Sequence, residues 1–194
     1  MKIMHVEAKY KGKIDIPKNV IDKLPKTIAL FTTLQFIDHL QKIKKKIKDS
    51  GRTVKIFKTT HTKYPGQIYG CNMDKYPGVD AFLYVGEGFF HPKALVIGNN
   101  KPVHQYNPIS KKYQSYSRKD VEKDLKRQKA AYINFLAKKN VAVLLSTKSG
   151  QSYFKLGLKL KKDYPEKKFY FIAFDTIDLT RLEDFNFIDV IVNT

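Results

Sequence analysis

Three short segments of the chain place glycine next to side chains that are able to bind a ligand or to react. The first, residues 61–73, contains Cys71, the only cysteine of the sequence, and a thiolate is both a nucleophile and a metal ligand. The second, residues 86–92, reads G-E-G-F-F-H-P, so that a carboxylate lies between two glycines ahead of a histidine. The third, residues 146–151, reads S-T-K-S-G-Q and can offer backbone N–H groups and Lys148 to an anionic ligand. The patterns therefore indicate thiolate chemistry in the first segment and anion binding in the third.

Taken one at a time, these segments are not specific. The third lacks the G-x-x-x-x-G-K-[ST] pattern of a nucleotide-binding P-loop, and the first has no second cysteine at a zinc-binding spacing. A lone cysteine is more often a small buried hydrophobe than a ligand. Glu87 fits a solvated turn, and His91 fits a group that caps the helix predicted to start at Pro92. Each isolated pattern therefore favours a structural interpretation.

The elements that must position these segments form a repeating strand–helix pattern. Continuous apolar runs predict buried strands, and apolar residues at helical spacing predict amphipathic helices between them. The predicted strands are residues 28–33, 54–57, 81–85, 102–106, 141–147, 169–173 and 188–192, and the main predicted helices are residues 34–50, 117–138 and 153–164. Each of the three segments follows a predicted strand, which is where parallel sheets of enzymes carry their ligand-binding loops.

Length and pattern together predict two small domains. The chain has 194 residues, slightly above the usual size of one domain. Because the strand–helix pattern occurs twice, we divide the chain into an N-terminal stub at residues 1–24, a domain with Cys71 at residues 25–117, and a last domain at residues 118–194. The predicted fold class is α/β, with two consecutive small parallel-sheet βαβ domains and flanking helices.

The sequence is strongly basic, with a formal net charge of +19. Such a charge attracts nucleic acid, an anionic surface or an acidic partner. Specific recognition of phosphates and bases favours arginine, whereas the basic residues here are almost all lysine apart from Arg52, Arg118, Arg127 and Arg181. A lysine-biased genome or a thermophile's surface gives the same excess. We therefore favour a general surface property over a specific nucleic-acid site.

The sequence also predicts a soluble, cytoplasmic protein without a membrane partner. No stretch approaches the roughly 20 apolar residues needed to cross a bilayer, and the N-terminus lacks the apolar run and cleavage site of a signal peptide. A single cysteine cannot form an internal disulfide, which agrees with a reducing compartment.

Four motifs together make the sequence similar to a known family. In chain order they are T-K-Y-P-G-Q-I-Y-G-C-N, L-Y-V-G-E-G-F-F-H-P-K-A-L, L-L-S-T-K-S-G-Q and D-V-I-V-N-T. In this order and spacing they closely resemble the diphthamide-synthesis family, the archaeal and eukaryotic 2-(3-amino-3-carboxypropyl)histidine synthases. The resemblance runs from about Leu24 to Thr194, and the linkage of four motifs makes it specific.

The resemblance implies an architecture and a chemistry. Members of the family have three related α/β domains around a central cleft, and each domain gives one cysteine to a four-iron, four-sulfur (4Fe-4S) cluster. S-adenosylmethionine binds the open iron, and cleavage of a carbon–sulfur bond yields a 3-amino-3-carboxypropyl radical that attacks a histidine of translation elongation factor 2. The resemblance thus implies a radical transferase with an iron–sulfur cofactor and elongation factor 2 as its protein partner.

The family motifs also imply the roles of individual residues. Cys71 matches the cluster cysteine of the middle domain, and Gly86, Gly88 and His91 match the G-D-G-x-F-H loop, with Glu87 in place of the usual aspartate. The S-T-K-P-G-Q loop of the family matches Ser146, Thr147, Lys148, Gly150 and Gln151, with serine replacing proline at residue 149. The resemblance implies that Cys71 binds the metal and that both loops shape the S-adenosylmethionine pocket, without assigning a further catalytic residue.

Two parts of the family pattern have no counterpart in these residues. The first domain with its cysteine has none, and the third cysteine follows directly after a V-N-T like that at residues 192–194, where the sequence ends. Three thiolates hold such a cluster and leave one iron free for the substrate. We therefore expect the chain to be inactive by itself, and we expect a partner chain or a further segment to supply the first domain and the third cysteine. Dimerisation stays open.

Two other functions remain as alternatives. A non-catalytic relative would keep the fold and bind elongation factor 2, RNA or a partner subunit through its lysine surface. Retention of Cys71, His91 and the S-T-K-S-G-Q loop argues mildly against this alternative. An ordinary nucleotide-binding α/β enzyme is disfavoured because the sequence has no phosphate-loop or dinucleotide fingerprint.

Overall fold

The computed structural model describes residues 6–71, 73–148, 153–176 and 178–193. The chain forms two compact units, of which the first ends at Leu125 and the second begins at Lys126. Sequence patterning places the boundary near Ser117, at the start of a long helix, whereas the structural division lies inside that helix. Both units contain parallel strands joined through helices, so the predicted α/β fold class is confirmed.

The first unit is built on a sheet of five strands within the described residues. Its helices and strands are α1 (Lys18–Ile21), β1 (Thr27–Thr32), α2 (Leu40–Asp49), β2 (Thr53–Lys55), β3 (Ala81–Val85), α3 (Phe90–Asn99), β4 (Val103–Tyr106) and β5 (Tyr113–Tyr116). The strand order is β2-β1-β3-β4-β5, and β5 runs antiparallel to β4 while the other pairs are parallel. Strands β1 and β3 therefore lie inside the sheet.

Alternate side chains of β1 pack into two cores on opposite faces of this sheet. Ile28 and Leu30 face α2, whose Leu40, Ile43 and Ile47 are each at most 2% exposed. The β1 residues between them face α3 on the other side. Burial of each leucine or isoleucine side chain contributes roughly 1.5–3 kcal/mol. The sheet is thus covered on both faces, as parallel sheets require.

The chain before β1 belongs to the core of the first unit. The buried side chains of this segment are Ile14, Ile16, Val20, Ile21 and Leu24. They pack in the same cluster as α2 and the β3 side chains Leu83 and Val85. The segment predicted as an N-terminal stub, residues 1–24, therefore does not stand apart from the unit over its described part.

The second unit is smaller and contains a parallel sheet of three strands in the described residues. Its elements are α4 (Glu122–Ala137), which begins in the first unit, then β6 (Asn140–Ser146), α5 (Phe154–Asp163), β7 (Lys168–Phe174) and β8 (Val190–Asn193), with a 3₁₀ helix at Leu179–Asp184. The strand order is β7-β6-β8. On one face of β6, α5 approaches so closely that a Cβ on Gly157 would lie 2.7 Å from the Phe171 ring and 3.1 Å from Val143. The glycine is what permits this close packing.

The two units repeat one arrangement at the amino ends of their strands. In the first unit, Asp80 donates its N–H to Thr27 O at 2.8 Å and accepts from Thr27 N–H through Oδ2 at 3.0 Å. In the second unit, Asp189 makes the same two contacts with Asn140, both at 2.9 Å. The repeat makes β1, β2 and β3 the counterparts of β6, β7 and β8.

The sequence-based prediction misses one strand and misplaces parts of two helices. The edge strand β5 has no apolar run in its Y-Q-S-Y sequence and is not predicted. Helix α3 begins at Phe90 and not at Pro92, because proline is tolerated in the first turn, where N–H groups lack intrahelical acceptors. The helix predicted from residue 34 consists of a 3₁₀ helix at Leu34–His39 followed by α2. None of the described helices combines the length and the apolar character that a membrane span requires.

Lys167 is expected to stabilise the second unit through the end of α4. Its side chain is largely buried, with the residue 8% exposed, and Nζ donates to Leu136 O at 2.9 Å and Lys138 O at 2.6 Å. These carbonyls belong to a helix end that lacks intrahelical donors and carries partial negative charge. Lys167→Met keeps the aliphatic stem and removes the donors, so the free energy of unfolding should fall by about 1–3 kcal/mol.

Hydrogen exchange of the β6 amides under native conditions measures this effect within the second unit. Lys168→Met changes an exposed lysine next to it and serves as the matched control. Equal exchange rates in the two variants would show that Lys167 does not stabilise the end of α4.

Candidate functional site

The G-E-G-F-F-H segment leaves the sheet at the carboxyl end of β3. Gly86 N–H donates to Tyr106 O of β4 at 3.0 Å, and Thr32 Oγ1 of β1 donates to Val85 O at 2.6 Å. The segment then enters α3 at Phe90. The loop is therefore held at the carboxyl ends of three neighbouring strands, where open α/β sheets bind their ligands.

The two glycines of this loop have different structural roles. Gly88 has φ of +73°, in the left-handed region, and no atom lies within 4 Å of the position that a Cβ would take. Backbone conformation and not crowding therefore requires glycine at this position. At Gly86, a Cβ would lie 2.5 Å from Tyr84 Oη, so the phenol of Tyr84 occupies the space beside the glycine.

Gln105 of β4 holds the loop from below and was not among the residues selected from the sequence. It is 4% exposed, and its Nε2 donates to Gly86 O at 3.0 Å and to Gly88 O at 3.2 Å. Its Oε1 is buried and has no hydrogen-bond partner within the described residues. One buried amide thus fixes both glycine carbonyls, and the only sequence signal for it is a polar residue inside a predicted strand.

His91 and Tyr84 form a stacked pair beside the loop. The ring centroids are 5.4 Å apart with an interplanar angle of 18°, and Tyr84 Oη lies 3.1 Å from His91 Nδ1. Tyr84 O–H also reaches Glu87 O at 3.3 Å. Because a carbonyl only accepts, both contacts form together only if Tyr84 donates to Glu87 O and His91 Nδ1–H donates to Tyr84. This hydrogen-bond pattern assigns the tautomer in which Nε2 of His91 is free to accept.

Both members of the pair are neutral near pH 7. Burial lowers the pKa of His91 below its ordinary value, because the imidazolium is poorly solvated there. Burial and, to a smaller extent, the charge of Glu87 raise the pKa of Tyr84. The pair therefore presents an uncharged imidazole next to the glycine loop.

Cys71 is exposed, so the interpretation of a lone cysteine as a small buried hydrophobe is wrong here. The segment around it runs along α3. A Cβ on Gly70 would lie only 2.0 Å from ring carbons of Phe90, and a Cβ on Gly98 of α3 would lie 3.2 Å from the backbone of Met73. The two glycines allow the segment to lie against the helix on both sides of Cys71. The thiol-bearing segment thus adjoins the first turn of α3, which also carries His91.

Side-chain hydrogen bonds fix the same segment at its far end and at its base. Asn99 of α3 accepts from Tyr76 N–H through Oδ1 at 2.8 Å and donates to Asp74 O at 3.0 Å. At the base, the buried Gln67 accepts from the N–H groups of Lys63 and Tyr64, each at 3.1 Å. Long loops without helix or strand are usually either functional or linker segments, and this one is anchored by the buried Gln67 and the half-buried Asn99.

The S-T-K-S-G-Q segment lies at the carboxyl end of β6 in the second unit. Thr147 N–H donates to Phe174 O at 2.9 Å, and Ser146 Oγ accepts from Lys148 N–H at 3.2 Å. Thr147 and Lys148 are exposed. The two remaining predicted residues of this motif, Gly150 and Gln151, lie outside the described residues. This loop therefore begins at the carboxyl edge of the second sheet. The glycine loop of the first unit lies at the carboxyl edge of the first sheet.

No group of three or more histidine, cysteine or acidic residues suited to a metal ion occurs in the part of the chain that the structure describes. Cys71 therefore offers one ligand only. An exposed thiol on an anchored segment fits one corner of an iron–sulfur cluster, which is held by cysteine thiolates.

The sequence matches known proteins of one family. The profile of the diphthamide synthesis proteins matches residues 1–194. The 2-(3-amino-3-carboxypropyl)histidine synthase of Pyrococcus horikoshii is 31% identical over 134 residues, covering 68% of this chain and 38% of the relative. The synthase of the same name from Methanocaldococcus jannaschii is 34% identical over 139 residues, covering 69% of this chain and 35% of the relative. The chain thus spans little more than a third of these relatives.

The fold is similar to a solved structure as well. The crystal structure of Dph2 from Pyrococcus horikoshii with 4Fe-4S cluster superposes with a TM-score of 0.74 and 26% sequence identity, over 90% of this chain and 52% of that chain. The family indicated by the four motifs is thereby confirmed. The chain belongs to the family of diphthamide synthesis proteins.

Proposed function

We propose that this chain is part of an enzyme that transfers a 3-amino-3-carboxypropyl group from S-adenosylmethionine to a histidine of translation elongation factor 2. This reaction is the first step of diphthamide biosynthesis. The names of the relatives and the family match support the synthase activity. In this proposal Cys71 is one thiolate ligand of a 4Fe-4S cluster.

The observation that carries the proposal is the position of Cys71. Its thiol is exposed on a segment that is anchored at both ends, beside the helix that follows the glycine loop. A similar fold in Dph2 of Pyrococcus horikoshii is described with a 4Fe-4S cluster. A buried structural cysteine would have neither the access nor the neighbouring ligand loop.

Three thiolates hold a cluster that keeps one iron open, and these 194 residues contain one cysteine. We assign the other two thiolates to polypeptide outside these residues, in the same chain or in a partner. Bound at Cys71, such a cluster supplies the one-electron chemistry that cleaves a carbon–sulfur bond of S-adenosylmethionine.

The two glycine-rich loops are proposed to contact S-adenosylmethionine. In the first unit these residues are Gly86, Glu87, Gly88 and His91. The neutral His91 would accept a hydrogen bond from the ligand at Nε2 without repelling its sulfonium and ammonium charges. In the second unit the residues are Ser146, Thr147, Lys148, Gly150 and Gln151. The exposed Lys148 would pair with the ligand carboxylate.

The alternative function is non-catalytic binding of elongation factor 2, RNA or a partner subunit. The net charge of +19 supports this alternative, because a basic surface attracts acidic partners. Under either function, cytoplasmic location is a prediction from the sequence.

Loss of Cys71 should abolish cluster assembly. The missing thiolates can be supplied by a chimera in which this chain replaces the matching part of Dph2 from Pyrococcus horikoshii. After anaerobic reconstitution with iron and sulfide, the chimera should hold about one cluster per chain, and Cys71→Ala should lose most of its iron and visible absorbance because one of the three ligands is missing.

Met73→Ala alters an exposed side chain on the same segment and should leave the iron content unchanged. Equal iron in Cys71→Ala and in the parent chimera would refute the ligand role. A folded chimera without iron, with salt-sensitive binding of RNA, would favour the non-catalytic alternative.

The neutral state proposed for His91 gives a pH dependence. Because burial lowers its pKa in the fold, the unfolded chain takes up the proton first as the pH falls below the ordinary histidine value of 6.5. The free energy of unfolding should therefore decrease from about pH 7.5 to about pH 5 in urea titrations. An NMR titration should place the pKa of His91 below 6.5.

His91→Phe retains an aromatic ring against Tyr84 and cannot take up a proton, so its stability should depend less on pH. Some dependence should persist, because burial also lowers the pKa of His104. A pKa of 6.5 or higher for His91 would exclude the proposed neutral acceptor.

A further inference from the structure

Strand β8 forms an edge of the second sheet, since it pairs with β6 on one side only within the described residues. Its counterpart β3 pairs on both sides, with β1 and with β4. The difference in burial is large: Ile191 of β8 is 45% exposed, whereas Phe82 of β3 is 0% exposed. The edge of β8 thus combines unpaired backbone with an exposed apolar side chain.

The strand register makes Ile191 the equivalent of Phe82. Ala29 of β1 pairs with Phe82, and Ala142 of β6 pairs with Ile191. Each of the two residues comes two positions after an aspartate, Asp80 in one unit and Asp189 in the other. Each aspartate is hydrogen-bonded to the first residue of the central strand of its sheet. The repeat therefore shows, within this chain, what covers such a strand.

In the first unit, α3 and β4 cover the third strand. Phe82 N–H donates to Pro102 O at 3.0 Å, next to the parallel pairing of β3 with β4. On the face of Phe82, Leu95 and Val96 of α3 are buried against it. On the opposite face, Tyr106 of β4 packs into the other core. One helix–strand segment thus closes both faces and the edge.

An apolar groove lies beside β8 on the side of Val190 and Val192, and Ile191 of the same strand also borders it. It has a volume of about 490 Å³. Its main lining side chains are Tyr132, Phe135, Leu160, Tyr164, Val190 and Val192. Of these, Tyr132 is 55% exposed. Because successive strand residues point to opposite faces, a strand added beside β8 would direct alternate side chains into this groove, as Tyr106 does in the first unit.

We propose that the edge of β8 and this groove bind a helix–strand segment of the α3–β4 type from polypeptide outside these residues. Its strand pairs parallel to β8, and its helix covers Ile191. A second copy of this chain, related by a twofold axis, would instead pair β8 with β8 in antiparallel orientation, unlike the pairing that the repeat shows. The proposal concerns the packing of the second unit and does not depend on the proposed enzymatic function.

The test extends the chain by its own covering segment. A second copy of residues 86–107 is attached after Thr194, which keeps the spacing found after β3. Covalent attachment gives the segment a high effective concentration. Docking should slow hydrogen exchange of the Ile191 amide by about tenfold or more relative to the parent chain, because its N–H becomes bonded to the added strand.

The matched control carries His104→Pro and Tyr106→Pro in the added copy, which removes the N–H donors that would face β8, because Pro102 O and Tyr106 O face the third strand in the first unit. Exchange at Ile191 in this control should equal that of the parent chain. Protection in the extended chain alone, with a monomeric mass in light scattering, supports the proposal. Equal exchange rates of the Ile191 amide in the extended and control chains would overturn the proposal. A dimer of the parent chain would also overturn it, if that dimer protects the Ile191 amide and is lost in Ile191→Pro.

Discussion

The complete burial of β3 between β1 and β4 is the constraint on which the first unit depends. Every side chain of this strand is fully buried and its backbone is paired on both edges, so its carboxyl end has one position. That position fixes Gly86 and the start of α3. Helix α3 in turn supports the segment of Cys71 through the close approaches at Gly70 and Gly98. The loop with Cys71 leaves β2, whereas the helix that positions the thiol, α3, follows β3. The position of the thiol therefore depends on a strand other than the one that its own loop leaves.

The second unit repeats the start of this plan with less burial. Its main cluster of buried side chains in the described residues is Phe135, Val141, Val143 and Leu145, and Ala142 and Leu144 of β6 are buried as well. Even so, the core is smaller than either core of the first unit. The stability of a parallel sheet comes from covering both faces, and β8 lacks that cover at Ile191. Any segment that covered β8 would add apolar burial where the unit has least of it, so folding of the second unit and binding at this edge would be coupled.

The hydrophobic pattern predicted the positions of the buried strands well, because a short continuous apolar run in a chain of this size usually forms a buried strand. Strand β3 is found at the predicted residues, and β6 and β7 differ from prediction by one residue at each end. The hydrophobic pattern did not predict which side chains of a helix are exposed and which are packed against the sheet. Leu156 and Leu158 of α5 are apolar and yet exposed, and Gly157 makes the close contact with the sheet. An apolar residue in a short helix does not by itself reveal which face is packed.

The motifs identified the loops of the site but could not identify what holds them. Gly86 and Gly88 have no side chains, so other residues can hold the loop at these two positions only through contacts with its backbone. The carbonyls of both glycines need donors, and a carboxylate or a carbonyl group cannot provide them. A side-chain amide has two N–H donors on one nitrogen, and Gln105 uses them on Gly86 O and Gly88 O. The loop geometry thus depends on a residue whose type is readable in the sequence, whereas its direction and burial are set only by the pairing of β4 with β3.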